Sequence, residues 1–229
     1  MKITSSNLMR LAGLCAVPAG IIFAAIQPIH PPDVVESVTT AAWAIITPLK
    51  TAMCLLFLVG ITGLYARQVE KAGWLGLAGF VLLSLSWALM TAFVFAEAFI
   101  MPPLAAAAPA FVDGYLGISY GHTGGVDFGA LPTLYALVGI TYMLGGLLFG
   151  IATLRAGVLP RLPAGLLSIA ATLTPLAALL PHAQQRFAAV PVALAIAWLG
   201  YALWSERRAS AAQAAPAAVG AQLRPAAAK

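Results

Sequence analysis

Three side chains able to hold a metal ion or move a proton stand far apart in this sequence, each near the end of an apolar run. His30 closes the first run in Gln27-Pro28-Ile29-His30-Pro31-Pro32-Asp33, His182 closes a later one in Leu180-Pro181-His182, and Glu97 lies near the end of a third. His30 follows Arg10 by 20 residues and His182 follows Arg161 by 21, so a helical rise sets each histidine ~30 Å beyond its arginine. Glu97 follows Trp74 by 23 residues, or ~34 Å by the same rise. Imidazole and carboxylate together suit zinc and other first-row metals. His30, His182 and Glu97 are therefore candidate metal ligands, with His122 or Asp33 to complete the set. An open coordination position would supply a Lewis acid or an activated water.

Each of these residues also has a structural explanation. A histidine at a helix C-terminus interacts favourably with the helix dipole, and a neighbouring proline is a common helix stop. Glu97 stands among Phe93, Phe95, Phe99 and Ile100, where a carboxylate is costly without a partner. Lys50 is the expected partner: its long stem can reach outward from slightly deeper in the bilayer, giving a Lys50–Glu97 ion pair. His122, in Gly121-His122-Thr123-Gly124-Gly125, could face an anion bound by backbone N–H groups. That stretch lacks the Gly-Lys-Ser/Thr ending of a phosphate loop. A plain outer loop is the simpler account.

The elements that position these groups are set by composition. Of 229 residues, 62% are hydrophobic and 8% charged, against roughly 25% charged in a soluble domain. Six apolar stretches, about 10–29, 42–65, 74–100, 131–153, 163–181 and 188–205, are each long enough to cross ~30 Å of hydrocarbon. The expected fold is all-α: a polytopic six-span transmembrane bundle over residues 1–208, with 209–229 as a disordered, Ala/Pro-rich cytoplasmic tail. Lys2 and Arg10 ahead of an apolar run suggest a signal peptide, but Pro18 interrupts the run and no small-residue cleavage site follows it. A retained first helix is expected.

The basic residues give the orientation. With the N-terminus in the cytoplasm, Lys2, Arg10, Arg67, Lys71, Arg155, Arg161, Arg207, Arg208, Arg224 and Lys229 lie inside, and Lys50 and Arg186 lie outside. This is a strong positive-inside bias for an inner (plasma) membrane protein with both termini cytoplasmic. It also explains a formal charge of +5 without nucleic acid, since the cations form no patch. Trp43 at the outer boundary, and Trp74 and Trp204 at the inner, read as interfacial aromatics. All three histidines then fall on the outer side.

Similar sequences recur along the chain, the first pair at the same interval and the second as like endings of two spans. Gly13-Leu14 precedes His30 as Gly165-Leu166 precedes His182; Leu55-Leu56-Phe57 with Gly60-Ile61 precedes Arg67 as Leu147-Leu148-Phe149 with Gly150-Ile151 precedes Arg155. Three tandem helical hairpins are the arrangement this implies. Gly146-x-x-x-Gly150 marks a close-packing face, inside the bundle or in a homo-oligomer. Residues 101–130 make an outer loop long enough to be functional. Its Leu104–Leu116 half reads as a short interfacial helix and its Tyr120–Gly129 half as irregular.

The Pro28-Ile29-His30-Pro31 end of the first helix, the Met101-Pro102-Pro103 exit of the third and the closing Trp198-Leu199-Gly200-Tyr201-Ala202-Leu203-Trp204 resemble a loose group of small six-helix bacterial membrane proteins of unknown function. The likeness covers most of the chain, and it implies a topology and no activity.

Several activities lack their residues. No span carries paired charges at its middle, as ion-coupled transport often requires. Cys-x-x-Cys, His-Glu-x-x-His and a serine nucleophile motif are absent, and Cys15 and Cys54 lie singly in apolar runs. Two functions remain. One is a non-enzymatic membrane protein whose extracytoplasmic face binds a partner, lipid or small molecule. The other is an intramembrane metal-binding protein or enzyme using His30, His182 and Glu97. No cofactor is required by the residues; a transition metal is the one the second reading would take.

Overall fold

The first helix, α1 (Ser5–Ala25), starts where the Thr4 side chain accepts the Asn7 amide at 3.2 Å, a capping bond that satisfies one of the free amides of the first turn. Its buried residues, Ala12, Gly13, Ala16, Ala19 and Gly20, form a stripe of small side chains. A Cβ on Gly13 would meet the Gly200 carbonyl at 2.9 Å, and one on Gly60 would meet Ala16 Cβ at 2.7 Å. Backbones this close are how helices gain contact energy in lipid, where no hydrophobic drive exists between them.

This is a computed structural model describing the backbone of residues 4–222; the side chains of 182–183 and 207–222 lie outside the described residues. The chain continues with α2 (Ala41–Phe99), α3 (Met101–Leu104), α4 (Pro109–Gly117), α5 (Leu131–Ala156), α6 (Arg161–Leu173), α7 (His182–Gln185) and α8 (Ala189–Gln222). Short 3₁₀ turns at Val35–Ser37, Ile118–Tyr120, Thr174–Leu179 and Arg186–Ala188 join them, and no strand occurs among the described residues. Five segments are long and apolar enough to cross a membrane: Ser5–Ala25, Ala41–Phe99, Leu131–Ala156, Arg161–Leu179 and Arg186–Glu206. The molecule is an all-α bundle of membrane-protein character.

At 59 residues, α2 would be roughly 90 Å long if straight, about three bilayer cores. It is not straight. Gly73, at φ 57° and ψ −162°, holds a conformation open essentially to glycine alone. The two limbs, 41–72 and 74–99, fold back on each other there. Tyr65 stacks on Phe80 at 4.5 Å and Phe57 on Trp87 at 4.1 Å, and Lys50 reaches Glu97 at 2.6 Å. Each pair is nearly equidistant in sequence from Gly73, which is the register of an antiparallel helical hairpin.

Around this hairpin, α1 packs on α2 and α8, α5 on α2 and α6, and α6 on α8. Gly145 and Gly79 set the α2–α5 contact: a Cβ on Gly145 would strike Leu83, and one on Gly79 would strike the Phe149 backbone. Gly146 and Gly150 face α6, against Ala171 and against Ser168 with Ala164, so this small-residue face is occupied within the chain. At the Gly73 end, Arg67 makes two hydrogen bonds to Glu206, Nε at 3.2 Å and Nη2 at 2.5 Å, tying α2 to α8. Nearby, buried Gln68 donates to Thr153 at 2.8 Å.

Three local expectations change. Trp43 is fully buried in the bundle and does not offer its ring to lipid headgroups; its indole N–H donates to the Glu97 carbonyl at 2.9 Å. The Leu104–Leu116 half of the long loop turns its apolar side chains into the bundle. Val112, Tyr115, Leu116 and Ile118 are buried with Phe93 and Val138 in a second core, and the Tyr115 hydroxyl donates to the Phe93 carbonyl at 3.1 Å. Finally, the run 163–181 is α-helical only to Leu173. Pro175 has no N–H to continue the ladder, and the chain tightens into the 3₁₀ turn Thr174–Leu179, which contains no buried residue.

Candidate functional site

The polar residues gather at the end of the bundle opposite Gly73, around Lys50. Its ammonium donates to Glu97 Oε2 at 2.6 Å and lies 3.1 Å from His30 Nε2. Lys50 and Glu97 are largely sheltered, at 15% and 17% side-chain exposure, and the His30 ring is 9% exposed. Glu97 is held twice, by Lys50 on its carboxylate and by Trp43 on its backbone carbonyl. The edge of Trp43 also packs on the His30 ring, with centroids 6.1 Å apart.

The His30 tautomer follows from its neighbours. Nδ1 is 2.7 Å from the Pro31 carbonyl, an acceptor only, so Nδ1 carries the proton. The lone pair on Nε2 then accepts from Lys50. Burial, reinforced by the charges of Lys50 and Arg186, pushes the His30 imidazole down to about 4 against smaller opposing pulls from Asp33 and the Pro31 carbonyl. At neutral pH His30 is an uncharged acceptor in this chain.

A second layer closes over it. Asp33 Oδ2 accepts the Tyr120 hydroxyl at 2.6 Å and lies 4.0 Å from the Arg186 guanidinium, while Asp33 Oδ1 is 3.8 Å from His30 Nδ1. Arg186 donates to the His30 carbonyl at 3.0 Å. Burial and the bond to Asp33 raise the Tyr120 hydroxyl well above the usual phenol range. Three chain segments remote in sequence, the α1–α2 connection, the loop after α4 and the turn before α8, are thus clasped by Asp33 and His30.

Beneath this polar lid lies a cavity of about 600 Å³. His30, Asp33, Lys50, Glu97, Tyr120 and Arg186 stand at one end of it, and Phe23, Met53, Trp87, Met90, Val138 and Tyr142 line its body. Its volume falls within the ~300–1,000 Å³ of small-molecule sites, whose lining is likewise mostly apolar with a few placed polar groups. On one side it is bounded by Ala136 and Gly139 of α5 and by Thr174, Pro175, Ala177 and Ala178. Here α5 and the 3₁₀ turn are not in the close contact that α5 and α6 make below, and Ala136 and Gly139 are exposed.

Of the residues singled out in the sequence, His30, Asp33, Lys50 and Glu97 come together. His30 and Glu97 meet through Lys50, whose ammonium stands between them. Among the described residues, no group of three His, Cys, Asp or Glu side chains converges as a metal set. His182 begins α7, and its side chain lies outside the described residues. His122 is exposed, its amide bonded to the Gly117 carbonyl at 2.9 Å, and it does not line the cavity. Sequence reasoning missed Tyr120, Tyr142 and the role of Trp43. Arg186 stood out as one of two outer cations, but its partners did not. Comparison with protein-family models, with curated proteins and with solved structures finds no match.

Proposed function

We propose that this chain is a six-span inner-membrane protein, its limbs arranged as helical hairpins with both termini cytoplasmic, whose extracytoplasmic end binds a small apolar or amphiphilic molecule. The cavity carries this reading: an apolar chamber of about 600 Å³ capped by the Lys50–His30–Glu97 cluster. The six-span count takes the two limbs of α2 as separate crossings, since a single helix of 59 residues has no place in a bilayer ~30 Å thick. The distribution of basic residues supports the orientation. The opening beside Ala136 and Gly139 would face lipid, which suits entry of a ligand from the bilayer. A non-enzymatic role is favoured, since Lys50, His30 and Glu97 are engaged with one another, as in a recognition or structural cap.

Gly139 provides the test. It lines the cavity, and a Cβ there meets nothing within 4 Å, so Gly139→Leu narrows the chamber at its opening with no clash at Cβ. Wild type and Gly139→Leu are purified from the same membranes and their organic extracts compared by mass spectrometry. A compound retained by wild type and lost in the narrowed variant supports ligand binding. Identical extracts from two equally folded proteins would reject it. The topology is tested by impermeant maleimide labelling on a cysteine-free background. Glu36→Cys is expected to react in intact cells and Trp74→Cys only after permeabilisation.

A further inference from the structure

Between α6 and α8 the chain has little to hold it in place. Pro175 removes one N–H from the helical ladder, and the turn Thr174–Leu179 continues for 6 residues as 3₁₀. That form is seldom sustained for more than a few residues and often marks a hinge. At Leu180 and Pro181 the backbone is extended, with ψ of 156° and 140°, before the single turn His182–Gln185. Among the described side chains, none from residue 172 to residue 191 is buried, and none belongs to either apolar core.

The hydrogen bonds of this segment are mostly local. The Leu180 amide donates to the Ala177 carbonyl at 2.9 Å, the Gln184 amide to the Pro181 carbonyl at 2.8 Å, and the Gln185 side chain to the Leu180 carbonyl at 3.2 Å. Arg186 alone reaches across. It donates to the His30 carbonyl at 3.0 Å and stands 4.0 Å from Asp33. Among the described residues, no other hydrogen bond or ion pair ties residues 174–188 to α1, α2 or α5.

The same segment forms one wall of the chamber, through Thr174, Pro175, Ala177, Ala178 and Arg186, across the opening from Ala136 and Gly139. A wall without buried side chains, held at one polar point, opens locally at low free-energy cost, as lids over binding sites do.

Building on the small-molecule reading above, we propose that residues 174–188 are a hinged strap that opens the chamber for ligand entry and exit, latched by Arg186 on the His30 carbonyl and Asp33. The 3₁₀ turn after Leu173 is one hinge, and the turn Arg186–Ala188 before α8 is the other. Released, the strap swings from the polar cap and widens the opening beside Gly139. Latch and cap share one residue: Arg186 grips the carbonyl of His30, whose ring accepts from Lys50.

The test is chemical access, measured on full-length protein in detergent. Met90→Cys, in the chamber wall, and Ile140→Cys, exposed on α5, are placed separately on a cysteine-free background. Each is timed in its reaction with N-(1-pyrenyl)maleimide, an apolar fluorogenic thiol reagent, and the Ile140→Cys rate corrects for partition into micelles. Arg186→Ala should raise the corrected Met90→Cys rate at least roughly tenfold, the weight of one charge-assisted hydrogen bond. Arg186→Lys keeps a cation and a donor and should restore most of the protection. Tyr120→Phe frees one side of Asp33 but leaves Arg186 on the His30 carbonyl, so its rate should stay within about threefold of wild type.

A corrected rate in Arg186→Ala equal to wild type would overturn the latch, as would an equal rise in Tyr120→Phe. If Arg186→Ala does not fold, Arg186→Gln carries the same expectation and the same refutation. The rates are read without ligand, so this test fails separately from the extract comparison. Unchanged rates beside a compound lost in Gly139→Leu would overturn the strap alone. A tenfold rise beside identical extracts would overturn the ligand that the strap is proposed to admit.

Discussion

Lys50 and Glu97 lie 47 residues apart in sequence and 2.6 Å apart at their charged ends, joining the two limbs of α2 at the end farthest from Gly73. A sheltered pair of this kind contributes little net stability, because desolvation offsets attraction, but removing one partner leaves the other stranded.

Glu97→Ala is therefore expected to lose about 3 kcal/mol of stability. Glu97→Gln keeps an acceptor for Lys50 and should lose clearly less. Replacing both, as Lys50→Met with Glu97→Met, should recover most of the loss. Urea or SDS unfolding of the purified variants measures this. Equal, severe loss in Gln and Ala variants, unrescued by the double change, would show that the full charge pair is required.

The His30 ring makes a prediction about pH. Its folded pKa, about 4, lies below the ordinary value of 6.5. Between these values the unfolded chain binds a proton that the folded chain does not, so stability falls as pH is lowered through this window. The loss is up to about 3 kcal/mol when the full shift is expressed. His30→Gln has no such titration and should show a flatter melting-temperature profile from pH 7 to 4. A profile as steep as wild type would assign the acid sensitivity to carboxylates.

Two glycines of α2 should fail for different reasons. Gly73→Ala meets no atom within 4 Å, so its cost is backbone strain alone, about 1–3 kcal/mol. Gly79→Ala would push a methyl into the Phe149 backbone, where neither helix can yield locally. It should cost at least as much and separate α5 from α2. Disulfide trapping between cysteines placed on facing α2 and α5 positions distinguishes them. Cross-linking should persist in Gly73→Ala and weaken in Gly79→Ala.

A metal held by His30 and Glu97 competes with Lys50 for the same lone pairs. Purified wild type is expected to carry no stoichiometric zinc, and Lys50→Ala to gain zinc affinity that is lost again when His30 is also changed to Ala. Elemental analysis decides it. Stoichiometric metal in wild type that disappears in His30→Ala or His182→Ala would reinstate a metal site at this end.

The sequence by itself determined the helical class, the bilayer-facing composition and the separate heights of His30, Lys50 and Glu97, because hydropathy and a 1.5 Å rise are local properties. It placed Lys50 beside Glu97 because an intramembrane carboxylate needs a partner and only one cation stood near enough. It could not show that Lys50 would stand between His30 and Glu97, nor that Trp43 would turn inward to hold Glu97. The first depends on how α1 rotates against α2, where Gly60 meets Ala16 and Gly63 meets Ala12; the second depends on how the two limbs of α2 pack on each other. The inward folding of Tyr115, the contact of Tyr120 with Asp33 and the chamber lined by Tyr120 and Tyr142 likewise arise from packing between distant segments. Only the tertiary structure turned one helix stop at His30 into the cap of a cavity, since enclosure belongs to several surfaces together and to no one stretch of chain.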